Sequence, residues 1–313
     1  MAGPSLAPRP TFDCLWCGQS WTTRSAEDLE GWAKLCPDCL GKAGENAFLR
    51  FRLRDALAAR AASHAAGEGT AAAGPASPAA AAPAGPASPE TSAEMVAYYE
   101  ARAGEYDDWY LRRGRYAHGP IHDAAWDAEL DAAGRWLDGL PIGGEIVELA
   151  AGTGWWSPLL ASKGELWLYD AAEAPLERAR ERLVAHGLRA HIHLRDAWAE
   201  PDRQVDAVVL GFWLSHVERE RTAAFLELAR RWLKPGGTVA IIDSQPDPQS
   251  GAADHDPVVD DRAKRHLDDG REFTIVKVHR TAADIRASLA AAGFEDPRTE
   301  TTGRFFVLAS ARA

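Results

Sequence analysis

From residue 92 onward, short apolar runs alternate with amphipathic stretches, and this alternation predicts a parallel β-sheet flanked by helices. The predicted strands are 145–149, 165–169, 190–194, 205–210, 237–242, 273–279 and 304–310. An amphipathic lead-in over 93–140 precedes the first of them. Thr281 and Asp284 are typical of the capped start of a helix. The pattern therefore indicates an α/β fold.

Residues 61–91 do not share this pattern, because Ala, Pro, Gly and Ser dominate them. Such a segment has almost no apolar surface to bury and carries repeated helix-breaking prolines, so it predicts a disordered tether. The chain thus divides into an N-terminal module at 1–60, a linker at 61–91 and the α/β domain at 92–313.

The N-terminal module contains all four cysteines as two C-x-x-C pairs, Cys14 with Cys17 and Cys36 with Cys39. Each pair can present two thiolates to one ion, and the spacing predicts a structural, tetrahedral Zn²⁺ site. Zinc would also stabilise a unit of about 50 residues, which has little core of its own. Two disulfides or a redox pair are the alternatives, and a reducing compartment disfavours the disulfides.

The formal net charge of −11 lies almost entirely after residue 90, where 27 Lys/Arg stand against 37 Asp/Glu. An acidic surface repels polyanions on average, so nucleic acid is disfavoured and a small uncharged or cationic substrate is easier to accept. Arginines on a predicted helix at 46–60 are typical of a solvated face. The chain has neither a secretory start nor an apolar run of about 18 residues, which predicts a cytoplasmic protein without membrane contact.

The stretch 145–157 is the most informative, because a buried strand leads into a glycine turn directly after Glu148. Gly152 and Gly154 allow a sharp turn and a close approach of the backbone to a ligand. A dinucleotide is disfavoured, since Glu148 would stand near its phosphates and Ser157 replaces the third glycine of that fingerprint. The sulfonium and ammonium groups of S-adenosylmethionine are compatible with an acidic strand end.

The run Glu148-Leu-Ala150-Ala-Gly152-Thr-Gly154 resembles the first motif of the class I S-adenosylmethionine-dependent methyltransferases, with Ala150 at the first glycine position. The resemblance covers about residues 95–313 and points to small-molecule members related to ubiquinone and menaquinone biosynthesis. It implies a Rossmann-like seven-stranded sheet with helices on both faces and an antiparallel last strand.

The resemblance also implies contacts with the cofactor. Asp170, twenty-two residues after Glu148, matches the residue that binds ribose hydroxyls, although capping a helix is an alternative role for an Asp there. Asp196 and Ala197 match the loop that contacts adenine. In the family, the end of the fourth strand faces the transferable methyl group of the cofactor. The full set of residues assigned to the cofactor is Tyr106, Glu148, Ala150, Gly152, Gly154, Asp170, Ala171, Asp196, Ala197, Gly211 and Phe212.

His216 follows the fourth strand and is the candidate general base for a hydroxyl or protonated amine acceptor. A purely structural hydrogen bond is its alternative role. His118, His122 and His255 are looser candidates, and 245–272 is predicted to be a solvated loop and helix near the mouth of the site.

Methyl transfer to an oxygen, nitrogen or carbon of a small molecule is the leading hypothesis, with the zinc module contacting a protein partner or adding stability. In a second hypothesis the zinc module delivers RNA or a protein to the catalytic domain. In a third, the fold binds the cofactor without transferring its methyl group.

Overall fold

The computed structural model describes residues 11–13, 19–22 and 89–313. They belong to two compact units, Met1–Ala80 and Ala81–Ala313. The described part of the first unit is an antiparallel pair of short strands, which are Thr11–Asp13 (β1) and Ser20–Thr22 (β2).

The predicted zinc module falls mostly outside the described residues. This is so for its four proposed ligands, Cys14, Cys17, Cys36 and Cys39, and for the predicted helix at 46–60. The zinc site and the limits of the three predicted segments therefore stay predictions.

The second unit, as described from residue 89, alternates helices and strands. Its α-helices are Pro89–Arg102 (α1), Tyr106–Leu111 (α2), Pro120–Gly139 (α3), Ser157–Lys163 (α4), Glu173–Ala185 (α5), Thr222–Arg231 (α6) and Ala282–Ala291 (α7). Its strands are Gly144–Leu149 (β3), Gly164–Asp170 (β4), His191–Leu194 (β5), Val205–Gly211 (β6), Leu233–Ser244 (β7), Arg262–His266 (β8), Glu272–Val276 (β9), Glu295–Thr301 (β10) and Phe306–Arg312 (β11).

Seven of these strands form one mixed sheet in the order β10-β11-β7-β6-β3-β4-β5. The five strands from β7 to β5 are parallel, whereas β11 runs antiparallel to both of its neighbours. Ile146 and Val147 point to opposite faces of β3, and both are 0% exposed. Both faces of the sheet are therefore covered, which confirms the predicted α/β architecture.

The sequence-based prediction was wrong for one strand of this sheet. The segment predicted at 273–279 forms β9, which pairs with β8 in a separate antiparallel hairpin. The strand that completes the sheet is β10, which pairs with β11 at the edge. Its sequence is polar and includes Pro297, and such a strand is tolerated only at an edge and carries no apolar alternation.

The hairpin β8–β9 packs against α1. Met95 and Tyr98 of the helix form an apolar cluster with Ala263, Leu267 and Ile275 of the hairpin. We call α1 together with this hairpin the cap. The segment 245–272, predicted to be a solvated loop and helix, therefore supplies a structural strand instead.

Two helix starts follow their local sequence. Helix α1 begins at Pro89, before the predicted lead-in, and proline at a first helical turn loses no intrahelical hydrogen bond. At α7, Thr281 and Asp284 form the predicted capping box. No helix in the part of the chain that the structure describes is long and apolar enough to cross a lipid bilayer.

Candidate active site

The carboxyl ends of β3, β4 and β6 meet at one edge of the sheet. After β3 the chain continues to β4 on one side, while β6 lies on the other side, which makes this the topological switch point where open α/β sheets bind ligands. A cavity lies there, between these strand ends and α1. We call its wall of strand ends and following turns, from β3, β4, β5 and β6, the cofactor edge.

The turn after β3 needs its two glycines for different reasons. Gly152 has φ of 56° and lines the cavity, and a Cβ there would lie 3.3 Å from the Tyr106 hydroxyl. Gly154 has φ of 71°, and a Cβ there would lie 2.7 Å from the Ala179 Cβ. Gly152 thus keeps the cavity open, whereas Gly154 lets α5 pack closely behind the turn.

Asp170 ends β4 and closes this turn from the other side. Its Oδ2 accepts from the Gly152 N–H at 2.8 Å, and its Oδ1 accepts from the Ala172 N–H at 2.9 Å. Ala172, rather than Asp170, is the N-cap of α5. Burial raises the Asp170 pKa to about 6. The carboxylate is therefore fixed by the backbone, with lone pairs left for a ligand in the cavity.

Glu148 lies behind the turn and is 2% exposed. Its Oε2 accepts from the Ser157 hydroxyl at 2.5 Å. Burial raises the Glu148 pKa to about 8, so this carboxyl is mostly protonated at neutral pH. Glu148 is not among the residues that line the cavity.

The end of β6 forms the opposite wall. A Cβ on Gly211 would lie 2.7 Å from Cδ1 of Trp156, so glycine allows that indole to pack against the strand. Phe212 has φ of 61°, a left-handed conformation that ordinary residues adopt at some energetic cost. On the rim, Asp196 Oδ1 accepts from the Trp198 N–H at 2.8 Å. Ala197 beside it is buried.

His216 faces the cavity from the turn after β6. Its Nδ1 lies 2.7 Å from the Val276 carbonyl oxygen, which can only accept, so Nδ1 carries the proton. Its Nε2 therefore accepts from the Tyr99 hydroxyl at 2.8 Å. Burial lowers the His216 pKa well below its ordinary value, and the charge of Lys277 lowers it further. The imidazole is therefore neutral at physiological pH.

The cavity brings together ten of the twelve residues predicted for the cofactor and for catalysis, leaving out Glu148 and Gly154. The six further lining residues were not among the predicted site residues; they are Met95, Val96, Tyr99, Ala172, Trp198 and Trp213. Met95 and Tyr99 are four residues apart on a helix, so their shared face was a usable signal.

The three looser histidine candidates do not line the cavity. His118 contacts the Gly251 carbonyl oxygen at 2.9 Å, and His255 contacts the His266 carbonyl oxygen at 3.4 Å. His122 contacts Arg304 at 3.1 Å. Their hydrogen bonds indicate roles in holding loops.

Comparison with known proteins gives matches to methyltransferases. A family model described as a methyltransferase domain matches residues 146–237. The ubiquinone/menaquinone biosynthesis C-methyltransferase UbiE of Coxiella burnetii is 36% identical over 112 residues, which are 33% of this chain and 44% of that protein. UbiE of Cupriavidus necator is 33% identical over 111 residues, covering 34% of this chain and 45% of that protein. The chain thus spans less than half the length of these relatives.

Two solved structures match over a longer span. The DhpI–SAM–HEP complex is 31% identical, with a TM-score of 0.58, and the match covers 73% of this chain and 100% of that one. The DhpI–SAH complex is 30% identical, with a TM-score of 0.57, and the match covers 72% of this chain and 98% of that one.

Proposed function

Because the chain belongs to the S-adenosylmethionine-dependent methyltransferases, we propose that it methylates a small molecule held between the cofactor edge and the cap. The observation that carries this proposal is one cavity in which Asp170 and Gly152 face His216 and Tyr99. A mostly apolar cavity that is covered by the cap and carries a few polar groups is suited to a small acceptor beside the cofactor.

The residues of the cofactor edge fit an adenosyl group. Asp170 would accept from the ribose hydroxyls, while Asp196 and the Ala197 N–H would contact the adenine. Gly152 leaves room for the amino-acid portion, which Tyr106 would approach from α2. Neither Lys nor Arg is among the described residues that line the cavity, which suits a sulfonium and not a pyrophosphate. When bound, the cofactor supplies an electrophilic methyl group on positively charged sulfur.

His216 and Tyr99 are placed to manage the acceptor's proton. In our proposal the acceptor hydroxyl or amine donates its proton to the Tyr99 oxygen as the Tyr99 proton moves to His216 Nε2. The acceptor's freed electron pair forms the new bond to carbon, and the pair of the broken carbon–sulfur bond stays on sulfur. Burial raises the Tyr99 pKa well above its ordinary value, so Tyr99 passes a proton on and is not itself ionised.

Transfer of label from methyl-labelled S-adenosylmethionine tests this function, with the full chain and small-molecule fractions of a cell extract as acceptors. We expect His216→Gln to lower the transfer rate by about 100-fold or more, and Tyr99→Phe by about tenfold, since a positioned base contributes that much. Affinity for S-adenosylhomocysteine should stay within twofold of wild type. His191→Gln, which changes an exposed histidine paired with Glu165, is the matched control.

Two outcomes would count against the proposal. If the full chain does not bind S-adenosylhomocysteine in a calorimetric titration, methyl transfer itself is refuted. If His216→Gln retains transfer within twofold, His216 has only its structural hydrogen bond and the proposed proton route is wrong.

We also propose that Cys14, Cys17, Cys36 and Cys39 hold one structural Zn²⁺ in a module that contacts a protein partner. Their two C-x-x-C pairs support this assignment. Elemental analysis of the purified full chain should give one zinc per chain. Loss of that zinc in a Cys14→Ser, Cys36→Ser double variant would support the ligand set, and a metal-free wild-type chain would refute it.

A further inference from the structure

The turn that carries His216 has little support of its own. We call residues 212–217 the histidine turn, and Leu214–His216 within it form one turn of 3-10 helix. Two backbone hydrogen bonds close it, from the His216 N–H to the Trp213 carbonyl oxygen at 2.8 Å and from the Val217 N–H to the Leu214 carbonyl oxygen at 3.1 Å. Such a short helical piece is not stable alone. Its position therefore depends on the residues packed around it.

The segment 276–280, which begins at the last residue of β9, runs along the histidine turn. The Val278 N–H donates to the Ser215 carbonyl oxygen at 2.7 Å. The Lys277 ammonium donates to the Ser215 hydroxyl at 2.9 Å. The Val276 carbonyl oxygen accepts from Nδ1 of His216. This segment thus joins the histidine turn to the hairpin of the cap.

Arg280 ends this segment and is 6% exposed. Its Nη1 donates to the Leu214 carbonyl oxygen at 2.7 Å. Its Nη2 donates to the Val217 carbonyl oxygen at 2.7 Å and to the Thr222 hydroxyl at 2.6 Å. The guanidinium therefore binds backbone carbonyls on both sides of His216, which a planar group with donors in a fixed geometry can do.

Asp243 holds the histidine turn from β7 and is 3% exposed. Its Oδ2 accepts from the Ser215 N–H and its Oδ1 from the Ser244 N–H, both at 2.7 Å. Charged groups are buried at a cost that hydrogen bonds must offset. Here a buried carboxylate and the buried guanidinium of Arg280 both spend their hydrogen bonds on the backbone of this turn.

The imidazole of His216 requires such support, because its two partners belong to the cap while the histidine itself follows a strand of the central sheet. Its Nε2 accepts from Tyr99 on α1 and its Nδ1 donates to Val276 on β9. Both hydrogen bonds can form at once only when the histidine turn is held at a fixed distance from the cap. Arg280 is the side chain that connects the segment after the hairpin to both ends of the 3-10 turn.

We propose that Arg280 is a positioning residue for methyl transfer: by binding the Leu214 and Val217 carbonyls it holds His216 so that Nδ1 meets Val276 and Nε2 faces the Tyr99 hydroxyl. This inference rests on the proposed function, because it concerns the same proton route. The alternative is that Arg280 only satisfies buried carbonyl oxygens.

The tautomer of His216 tests the positioning role without any acceptor. The measurement is ¹⁵N NMR of the full chain with labelled histidine, saturated with S-adenosylhomocysteine at neutral pH, and His216→Gln identifies the His216 signals. The wild type should show one neutral tautomer with the proton on Nδ1. In Arg280→Lys the bond to Val276 should loosen, and the tautomer with the proton on Nε2 should increase at least about threefold, since the partner of one ring nitrogen sets the tautomer.

The transfer rate is the second readout, measured with methyl-labelled S-adenosylmethionine as above. Arg280→Lys should lower it about tenfold, because a displaced base loses its alignment, and the affinity for S-adenosylhomocysteine should stay within about twofold. Arg219→Lys is the matched control. Arg219 contacts Asp261 and, at 3.3 Å, the His279 carbonyl oxygen instead of the histidine turn. The same substitution there should change neither the tautomer nor the rate.

Thr222→Val provides a milder variant that keeps the guanidinium. Valine retains the branched shape of threonine but removes one acceptor of Arg280. The His216 tautomer should shift in the same direction as in Arg280→Lys, by a smaller amount. If Arg280→Lys does not fold, an unchanged tautomer in Thr222→Val overturns the inference.

The outcomes separate this inference from the proposed function. Failure of the full chain to bind S-adenosylhomocysteine refutes methyl transfer. A folded Arg280→Lys with the wild-type His216 signals refutes the positioning role, even if its melting temperature falls, since Arg280 then only satisfies carbonyls. An equal change in Arg219→Lys refutes it as well. A shifted tautomer with an unchanged transfer rate supports the contact with His216 and refutes the proposed proton route.

Discussion

The cofactor edge and the cap face the same cavity but are built from opposite chemistry. The cofactor edge presents backbone N–H groups and carboxylates, with Asp170 and Asp196 at its strand ends. The cap presents phenols and buried cations, with Tyr99 lining the cavity and Arg102 behind it. An adenosyl sulfonium is compatible with the carboxylates of the first, whereas Tyr99 of the second is placed to receive the acceptor's proton.

The strongest test of this division is Asp170→Ala. In the proposed binding mode Asp170 accepts from two ribose hydroxyls, so its loss should weaken S-adenosylhomocysteine binding about 100-fold, equivalent to about 2.7 kcal/mol. Isothermal titration calorimetry measures this directly. Glu165→Ala, which changes an exposed carboxylate at the opposite end of β4, should leave the affinity unchanged.

The melting temperature of Asp170→Ala should show an intact fold, so that a loss of affinity can be assigned to the missing carboxylate. If cofactor affinity stays within threefold, Asp170 serves only to hold the Gly152 and Ala172 amides.

The two regions also differ in how far the sequence predicted them. At the cofactor edge, β3, the glycine turn, α4 and β4 follow each other along the chain. Local patterns were therefore sufficient to place Gly152 and Asp170. Tyr99 lies in the cap and His216 in the turn after β6; they are 117 residues apart, and only tertiary packing brings them together. The edge strand β10 was missed because a polar, proline-containing segment has no apolar alternation.

The positions of Glu148 and Gly154 show that prediction from the sequence was limited even at the cofactor edge. Both belong to the motif, yet neither lines the cavity. A sequence motif reports which residues are needed together, and it does not separate those that meet a ligand from those that pack the turn. That distinction depends on Ala179 and Ser157, which pack against Gly154, and Ser157 also donates to Glu148.

Glu148→Gln should have a smaller effect, which is on the free energy of unfolding. The Glu148 pKa is about 8 in the folded chain against 4.5 for a free carboxyl. Between these values the unfolded chain has lost the proton that the folded chain keeps, so stability falls as pH rises from 4.5 to 8. Gln cannot ionise, and it should raise the free energy of unfolding at pH 8 by on the order of 2 kcal/mol.

Denaturant titrations across that pH window measure this change, with the exposed Glu165→Gln as control. Lys277, just beyond β9, should act in the opposite sense, since burial lowers its pKa from 10.5 to about 8 and its contribution to stability should rise with pH between those values. A Glu148→Gln variant that keeps the wild-type slope below pH 8 would show that Glu148 is ionised in the fold.

The smallest expected effect is that of Ala150→Gly, which tests whether backbone strain belongs to the cofactor edge. Ala150 lines the cavity with φ of 52°, where an L-residue is disfavoured by about 1 to 2 kcal/mol. Glycine removes that penalty but loses about 0.5 to 1 kcal/mol of chain entropy, so a net gain of about 0.5 kcal/mol is expected. The neighbouring Ala151→Gly has no such strain to relieve and should destabilise the fold, which makes it the matched control.

Denaturant unfolding distinguishes the two variants, and cofactor affinity should stay within twofold in Ala150→Gly. If both variants lose stability equally, the left-handed residue is not strained, and the difference between the regions lies in their charges alone.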